Sequence, residues 1–346
     1  MLDALDRAGI AAADPSGMLG DVLAQPDHLL DALRRATAAR LPRVEAPGGL
    51  IVCGMGGSAI GGDLAAAVLE GRLGRPLQVV RGYAPGPAAH PGTLVVCASY
   101  SGNTEETLAA YEAAGLAGAP RFAVTTGGAL AEAAEADGVP LLLLPDGLQP
   151  RAAVAYMLVS MLECAAACGA APSLHGEVVD AIGFVGDLCA EWGPDAEASC
   201  ESKSLAYALV GTVPVVYGAG STCAVARRWK AQLNENSKAP AFYAELPEAD
   251  HNEICAWGEA PVSLCAVFLD DPATDPRLRR RVDLTAELIA HAGPRVEIVG
   301  ARGASPLERV LSLVLLGDLV SVYVAVLDGI DPTPVETIQR LKAALA

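Results

Sequence analysis

Residues 48–64 read GGLIVCGMGGSAIGGDL, a short apolar run that ends in glycines and is followed by a helical pattern over Ala59–Glu70. A strand that passes through a glycine turn into a helix is the first half of a βαβ unit. Outward from it the alternation continues. LQVV (77–80), TLVVCAS (93–99), RFAVTT (121–126) and LLLL (141–144) are further apolar runs. Each is followed by a helical or loop segment of roughly ten to twenty residues, and such spacing predicts a parallel sheet covered by helices on both faces.

The pattern then repeats. TVPVVYGAGSTCAVARRWK (212–230) matches the opening stretch, SLCAVFLDD (263–271) answers TLVVCASYS, and VEIVGARGASPLERVLSLVLLG (296–317) answers LLLLPDGLQPRAAVAYMLVSML. At roughly 150 residues per domain, a chain of this length holds about two domains, in agreement with the repeat. The expected organisation is a helical segment over 1–48, a first α/β copy over 49–170, a helical connection over 171–209 and a second copy over 210–346. Within the first segment Asp27 is the expected N-cap of a helix from His28 to Arg40.

Hydrophobic residues make up 52% of the 346, mostly Ala, Val and Leu, with 4% aromatic, which suits helices packed on buried parallel strands and excludes disorder. The net charge of −17 is interrupted by one basic tract, Arg279-Arg280-Arg281, so no nucleic-acid partner is expected. Nine cysteines, an odd number without any C-x-x-C, argue against a disulfide scaffold or a zinc ribbon, and Cys164 and Cys168 are expected to be packing thiols. The N-terminus carries early acids and no apolar core of a signal peptide. The apolar stretches 152–167 and 309–327 contain Glu163 and Asp318, the second also Gly317 and Ser312, and are expected to be buried helices rather than membrane spans. A cytoplasmic protein with no membrane partner is the expectation.

Comparing the two copies narrows the site. Ser99-Tyr100-Ser101-Gly102-Asn103-Thr104-Glu105 stands opposite Leu269-Asp270-Asp271-Pro272-Ala273-Thr274-Asp275, and Pro150-Arg151 opposite Pro306-Leu307. Hydroxyls in one copy and carboxylates in the other predict one ligand site, mainly in the first copy. Gly54-Met55-Gly56-Gly57-Ser58-Ala59 formally satisfies G-x-G-x-x-G/A. A dinucleotide site would need an acid at the end of the second strand, where Arg81-Gly82 stands, so NAD is disfavoured and only an NADP variant survives. The bland alternative is a tight strand-to-helix turn. The third reading joins this turn to Ser99–Thr104, because hydroxyls and backbone N–H groups at helix N-termini hold a phosphate without Lys or Arg.

Gly56-Gly57-Ser58 with SYSGNTEET (99–107) resembles a sugar isomerase (SIS) domain. More narrowly, the chain resembles the bifunctional phosphoglucose/phosphomannose isomerase family of archaea and bacteria. The resemblance is carried by GMGGSAIGGDL (54–64), QPR (149–151), LNENSK (233–238), EADHNE (248–253) and Pro334…Leu341-Lys342, in order along nearly the whole chain. It implies two tandem SIS-type domains and an aldose–ketose isomerase that interconverts glucose 6-phosphate, and mannose 6-phosphate, with fructose 6-phosphate through an enediolate, without metal or cofactor. Gly56, Gly57, Ser58, Ser99, Ser101 and Thr104 would bind the phosphosugar. Glu235 would be the base for C1–C2 proton transfer, His251 or Lys342 would open the sugar ring, and Arg151 would stabilise the enediolate. In this family the histidine reaches a neighbouring subunit, which implies a homodimer. A C-terminal threonine makes room for both C2 epimers, and Thr333 and Thr337 are its candidates. Two other classes stay open: a non-catalytic SIS protein that senses a sugar phosphate, and an NADP-dependent oxidoreductase.

Overall fold

The computed structural model describes residues 4–259 and 263–345. The chain begins with helices α1 (Arg7–Ala13), α2 (Met18–Leu23) and α3 (Gln25–Ala39). Then follow β1 (Leu50–Gly54), α4 (Gly56–Val68), β2 (Leu77–Val80), β3 (Leu94–Ala98), α5 (Glu105–Leu116), β4 (Arg121–Thr125), α6 (Gly128–Ala136), β5 (Leu141–Leu143) and α7 (Val154–Ala167). Helices α8 (His175–Trp192) and α9 (Glu201–Leu209) lead to β6 (Val213–Ala219), α10 (Thr222–Gln232) and β7 (Phe242–Leu246). Strand β8 (Leu264–Asp270), α11 (Pro276–His291), β9 (Arg295–Gly300), α12 (Pro306–Leu327) and α13 (Glu336–Leu345) complete it.

One compact unit comprises Ala24–Gly186 and Gly303–Val310. Its five strands are parallel in the order β2-β1-β3-β4-β5. Every residue of β1 and β3 is buried, as the continuous apolar runs predict for central parallel strands. Glycines let α4 lie flat on this sheet and on α7. A Cβ at Gly61 would stand 2.5 Å from Met157 Cβ, and one at Gly62 2.9 Å from a Val79 methyl. Helix α3 starts earlier than the sequence reading had it. Its N-cap is Ala24, with proline in the opening positions, and Asp27 lies inside the first turn, where its charge complements the helix dipole instead of capping.

The other unit comprises the described residues of Met1–Leu23, Asp187–Arg302 and Leu311–Ala346, so α1 and α2 group with the second sheet. An Arg7–Asp195 ion pair joins the first helix to the start of this segment. The four strands are parallel, ordered β7-β6-β8-β9. Strand β7 escaped the sequence reading, because FYAEL is a half-exposed edge strand without an apolar run. By position β7 corresponds to β2, and β9 corresponds to β4 rather than to the LLLL run of β5. After β9 the chain passes directly into α12, with no counterpart of the α6–β5 excursion.

Helix α12 is long and apolar enough to cross a membrane, yet 94% of its apolar 18-residue window is buried within the protein. Its polar residues explain that fate. Asp318 receives Arg228 Nε at 3.0 Å, Arg228 NH2 at 2.7 Å and Gln232 Nε2 at 2.9 Å, all from α10 and all buried. Gly317 makes the approach possible, since a Cβ there would stand 2.2 Å from Trp229 Nε1, which donates to Leu313 O at 2.8 Å. All nine cysteines are free, and Cys164 and Cys168 are buried packing thiols.

Replacing Asp318 by alanine leaves the Arg228 guanidinium buried without its counter-charge, a loss of about 3–5 kcal/mol. A double Arg228→Met/Asp318→Leu replacement recovers most of it, because no orphan charge remains. Urea unfolding midpoints check both, and an Asp318→Ala loss below about 1 kcal/mol contradicts the assignment.

Candidate active site

The carboxyl ends of β1 and β3 deliver the hydroxyl-rich turns. The Tyr100 backbone N–H donates to Ser58 Oγ at 3.0 Å, and Ser99 Oγ lies 2.8 Å from Thr104 Oγ1. Asn103 N donates to Ser101 Oγ at 3.3 Å, while Asn103 Oδ1 accepts from Ala129 N at 3.0 Å. Gly102, at φ +70°, makes this tight loop possible, because a Cβ there would run into Gly127 O at 1.7 Å. Ser58 and Ser99 are buried, Thr104 is half-buried, and Gly56 and Ser101 are exposed. A hydroxyl that accepts one bond keeps its own O–H to donate.

Neither α4 nor α5 has a side-chain N-cap bond, so the N–H groups of both first turns face outward from the helix ends with the positive pole of the dipole. Glu105 and Glu106 also stand in the first turn of α5. An anion held here is therefore held by directed donors against local negative charge. Arg151 joins the same region. It lies just before α7, is 3% exposed, and its NH1 is 3.4 Å from Gln149 Oε1. Gly57 lets that backbone approach α4: a Cβ there would stand 2.7 Å from Pro150 O and 3.3 Å from Arg151 N. Gly57, Ser58 and Arg151 are thus brought together. Arg81, which an NADP reading would need, is held by Asp63 of α4.

The second sheet shows what became of the duplicate loop. Asp271, buried, accepts from Ser221 Oγ at 3.1 Å and from Ala273 N at 2.8 Å. Thr222 Oγ1 accepts from Ala219 N at 2.8 Å and donates to main-chain carbonyls, including Leu269 O at 3.0 Å. The chain's own carboxylate occupies the donors of this turn, which is the physical form of the hydroxyl-to-carboxylate change seen between the copies.

Glu235 lies at the end of α10, where the helix widens into a π-turn over Leu233–Ser237. Asn236 Nδ2 donates to Ser321 Oγ at 2.8 Å, and that hydroxyl donates to Asp318 O at 2.7 Å. Asn234 Nδ2 donates to Ala239 O at 2.9 Å. The neighbours on both sides of Glu235 are therefore pinned, and Glu235 is left half-buried on the wall of a cavity of about 460 Å³. Asn234, Lys238 and residues Pro334 to Ile338 form the rest of that wall. Of the two candidate threonines, Thr337 lines the cavity.

His251 is exposed at the end of a short 3-10 turn over Glu248–His251, and among the described residues its ring makes no hydrogen bond or ion pair. The segment that carries it is nonetheless anchored. Asp250 accepts from Thr285 Oγ1 at 2.7 Å and pairs with Arg281 at 3.2 Å, both on α11. Glu253 accepts from the Tyr217 hydroxyl, which in turn accepts from Trp257 Nε1 at 2.8 Å. Burial and the neighbouring Glu253 carboxylate push the Tyr217 hydroxyl well above the ordinary tyrosine pKa, so it remains a donor. Lys342 is exposed on α13 and is not among the residues lining the Glu235 cavity. Sequence reasoning missed Asn234 and Lys238 as individual wall residues. Their signal lay inside the LNENSK segment, but Lys238 also reaches the carbonyl of Pro332, 94 residues away, which no local pattern shows.

A family model described as the bacterial phospho-glucose isomerase C-terminal SIS domain matches residues 199–345. The chain is 39% identical over 303 residues to a bifunctional phosphoglucose/phosphomannose isomerase of Caldicellulosiruptor bescii, covering 86% of this chain and 89% of that protein. It is 37% identical over 305 residues to the protein of the same description from Aquifex aeolicus, covering 86% and 90%. Among solved structures, tagatose-6-phosphate ketose/aldose isomerase from Escherichia coli superposes with a TM-score of 0.69 at 20% identity, covering 90% of this chain and 93% of that one. The last similarity is one of fold.

Tyr217→Phe deletes the hydroxyl that joins Glu253 to Trp257 and is expected to cost about 1–3 kcal/mol. Amide exchange across 248–258 should accelerate more than in α11; unchanged exchange there would show that the hydroxyl does not anchor the His251 segment. In the wild type this tyrosine is neutral when folded, with its pKa raised. Its contribution is therefore complete below pH ~10 and is lost as pH rises above that value.

Proposed function

Because the chain belongs to the bifunctional phosphoglucose/phosphomannose isomerase family, we propose how its residues divide the work of that reaction. It is an intramolecular oxidoreductase of the phosphoglucose isomerase type, interconverting glucose 6-phosphate and fructose 6-phosphate. The phosphate is read as bound by the hydroxyls of Ser58, Ser99, Ser101 and Thr104 and by N–H groups of the turn through Gly56 and Gly57. Such a site needs no basic patch, which suits a chain of net charge −17.

Glu235 is assigned the proton transfer between C1 and C2. A carboxylate removes the weakly acidic C–H proton beside the carbonyl and returns it to the neighbouring carbon. Arg151 is assigned the enediolate oxygens, where a preorganised cation lowers the barrier most. Ring opening falls to His251 or Lys342. The anchored, exposed imidazole of His251, without a partner among the described residues, suits a group that acts in the site of a second copy, and a homodimer follows from that role. Thr337, on the wall with Glu235, is assigned the room for both C2 epimers and hence the use of mannose 6-phosphate. The observation that carries the reading is the π-turn that presents Glu235 to a cavity of about 460 Å³ between pinned neighbours.

A coupled assay over glucose, mannose and other 6-phosphosugars, with EDTA present and the unphosphorylated sugars as controls, tests it. Free glucose turned over as well as its phosphate ester would dispose of the phosphate loop. Glu235→Gln should bind substrate and lose turnover by on the order of 10²–10⁴; near wild-type kcat would remove Glu235 from the base role.

Mixing inactive Glu235→Gln and His251→Ala chains tests the shared site. Random pairing makes about half the dimers hybrid, each with one intact site, so recovery should approach about a quarter of wild-type activity per subunit. A mixture as inactive as its parents, with subunit exchange demonstrated, places His251 in its own chain's site or outside catalysis.

A further inference from the structure

We infer that Lys238 is the positioning residue that sets the gap between Glu235 and the opposite wall of its cavity, by clamping the π-turn to the segment before α13 through backbone carbonyls. The inference rests on the isomerase reading above and concerns the same site.

Lys238 closes the π-turn with left-handed backbone, φ +57° and ψ +11°. Position C′ of a helix in that conformation belongs to glycine, or to asparagine, because a side chain there is strained. A lysine that persists at such a position needs a reason in its side chain. The ammonium supplies one. Its three N–H donors meet three main-chain oxygens: that of Glu235, that of Asn236 at 3.4 Å and that of Pro332 at 2.9 Å. Two of these are carbonyls at the negative end of the helix that carries Glu235, where a cation is favoured. The third lies 94 residues away in sequence, immediately before Thr333 and Pro334.

One cation therefore ties both walls of the cavity together. Glu235 stands on the first, and Pro334 to Ile338, with Thr337 among them, stand on the second. Held by these carbonyls, Lys238 is assigned a positioning role and not the proton transfer. It acts through the placement of Glu235, and a displacement of about 1 Å at a reacting group costs on the order of 10²-fold in rate.

Three variants test this, assayed with glucose 6-phosphate and followed by amide exchange over Asp331–Ile338. Lys238→Met keeps the stem and removes the donors. Lys238→Gly also removes the backbone strain, and Lys238→Arg keeps charge and donors. Lys238→Met and Lys238→Gly should lose about 10- to 100-fold in kcat, with KM for the phosphosugar within about 3-fold of wild type. Exchange over Asp331–Ile338 should quicken in both. Lys238→Gly should unfold no earlier than Lys238→Met, so that loss of rate separates from loss of stability, and Lys238→Arg should restore part of kcat. Wild-type kcat in Lys238→Met, or full activity in Lys238→Gly, overturns the inference. So does a drop in kcat without faster exchange at 331–338. Failure of the isomerase reading itself would show earlier, as a wild-type chain that converts none of the 6-phosphosugars.

Discussion

The buried ion pair between Arg228 of α10 and Asp318 of α12 constrains everything around Glu235. Both side chains are 2% exposed, and neither charge would be tolerated there alone. The pair is acceptable because its geometry is bidentate and Gln232 fills a remaining lone pair of the carboxylate. Fixing Asp318 fixes the turn of α12 that follows it. Ser321 bonds back to Asp318 O, and Asn236 bonds to Ser321. The chain of bonds ends one residue from Glu235. A helix that looks like a membrane span by composition is in this way a buried scaffold with one polar face, and that face orients the proposed base.

The same economy of charge separates the two α/β copies. In the first, hydroxyls and N–H groups gather at the ends of β1 and β3, with a buried arginine beside them. In the second, Asp271 takes the equivalent donors for itself. A turn whose donors already hold an internal carboxylate has little left for a phosphate, since displacing that carboxylate would leave it buried without partners. Duplication supplied two similar turns, and one substitution class separates the turn proposed to hold a phosphate from the turn that holds its own carboxylate.

Close backbone approach is the other shared device. Gly57, Gly61 and Gly62 bring α4 against the Pro150–Arg151 turn, Met157 of α7 and the sheet, and Gly317 admits Trp229 against α12. The dinucleotide-like pattern falls on other positions, Gly54, Gly56 and Ala59. A Cβ at Gly54 would stand 2.8 Å from Ala98 O, and Gly56 sits at φ +50°, so these two serve the strand-to-helix turn, while Arg81 is committed to Asp63.

Much of this was legible in order along the chain. Continuous apolar runs reveal buried parallel strands, because a sheet covered on both faces needs apolar residues at every position, and the repeat of strand, glycine turn and helix reveals the duplication. The hydroxyl loop points to an anion site by residue type, and the resemblance of that loop and of the LNENSK segment to the isomerase family points to a phosphosugar isomerase. The half-exposed edge strand β7 and the start of α3 at Gln25 were not legible, since edge strands lack an apolar run and a helix start depends on which backbone N–H groups find partners. Nor could sequence show that Asp318 answers Arg228, that Asp271 fills the second turn, or that Lys238 reaches Pro332. Local pattern sets which residues are apolar and which segments are helical; the pairing of polar groups far apart in sequence exists only once the chain is packed.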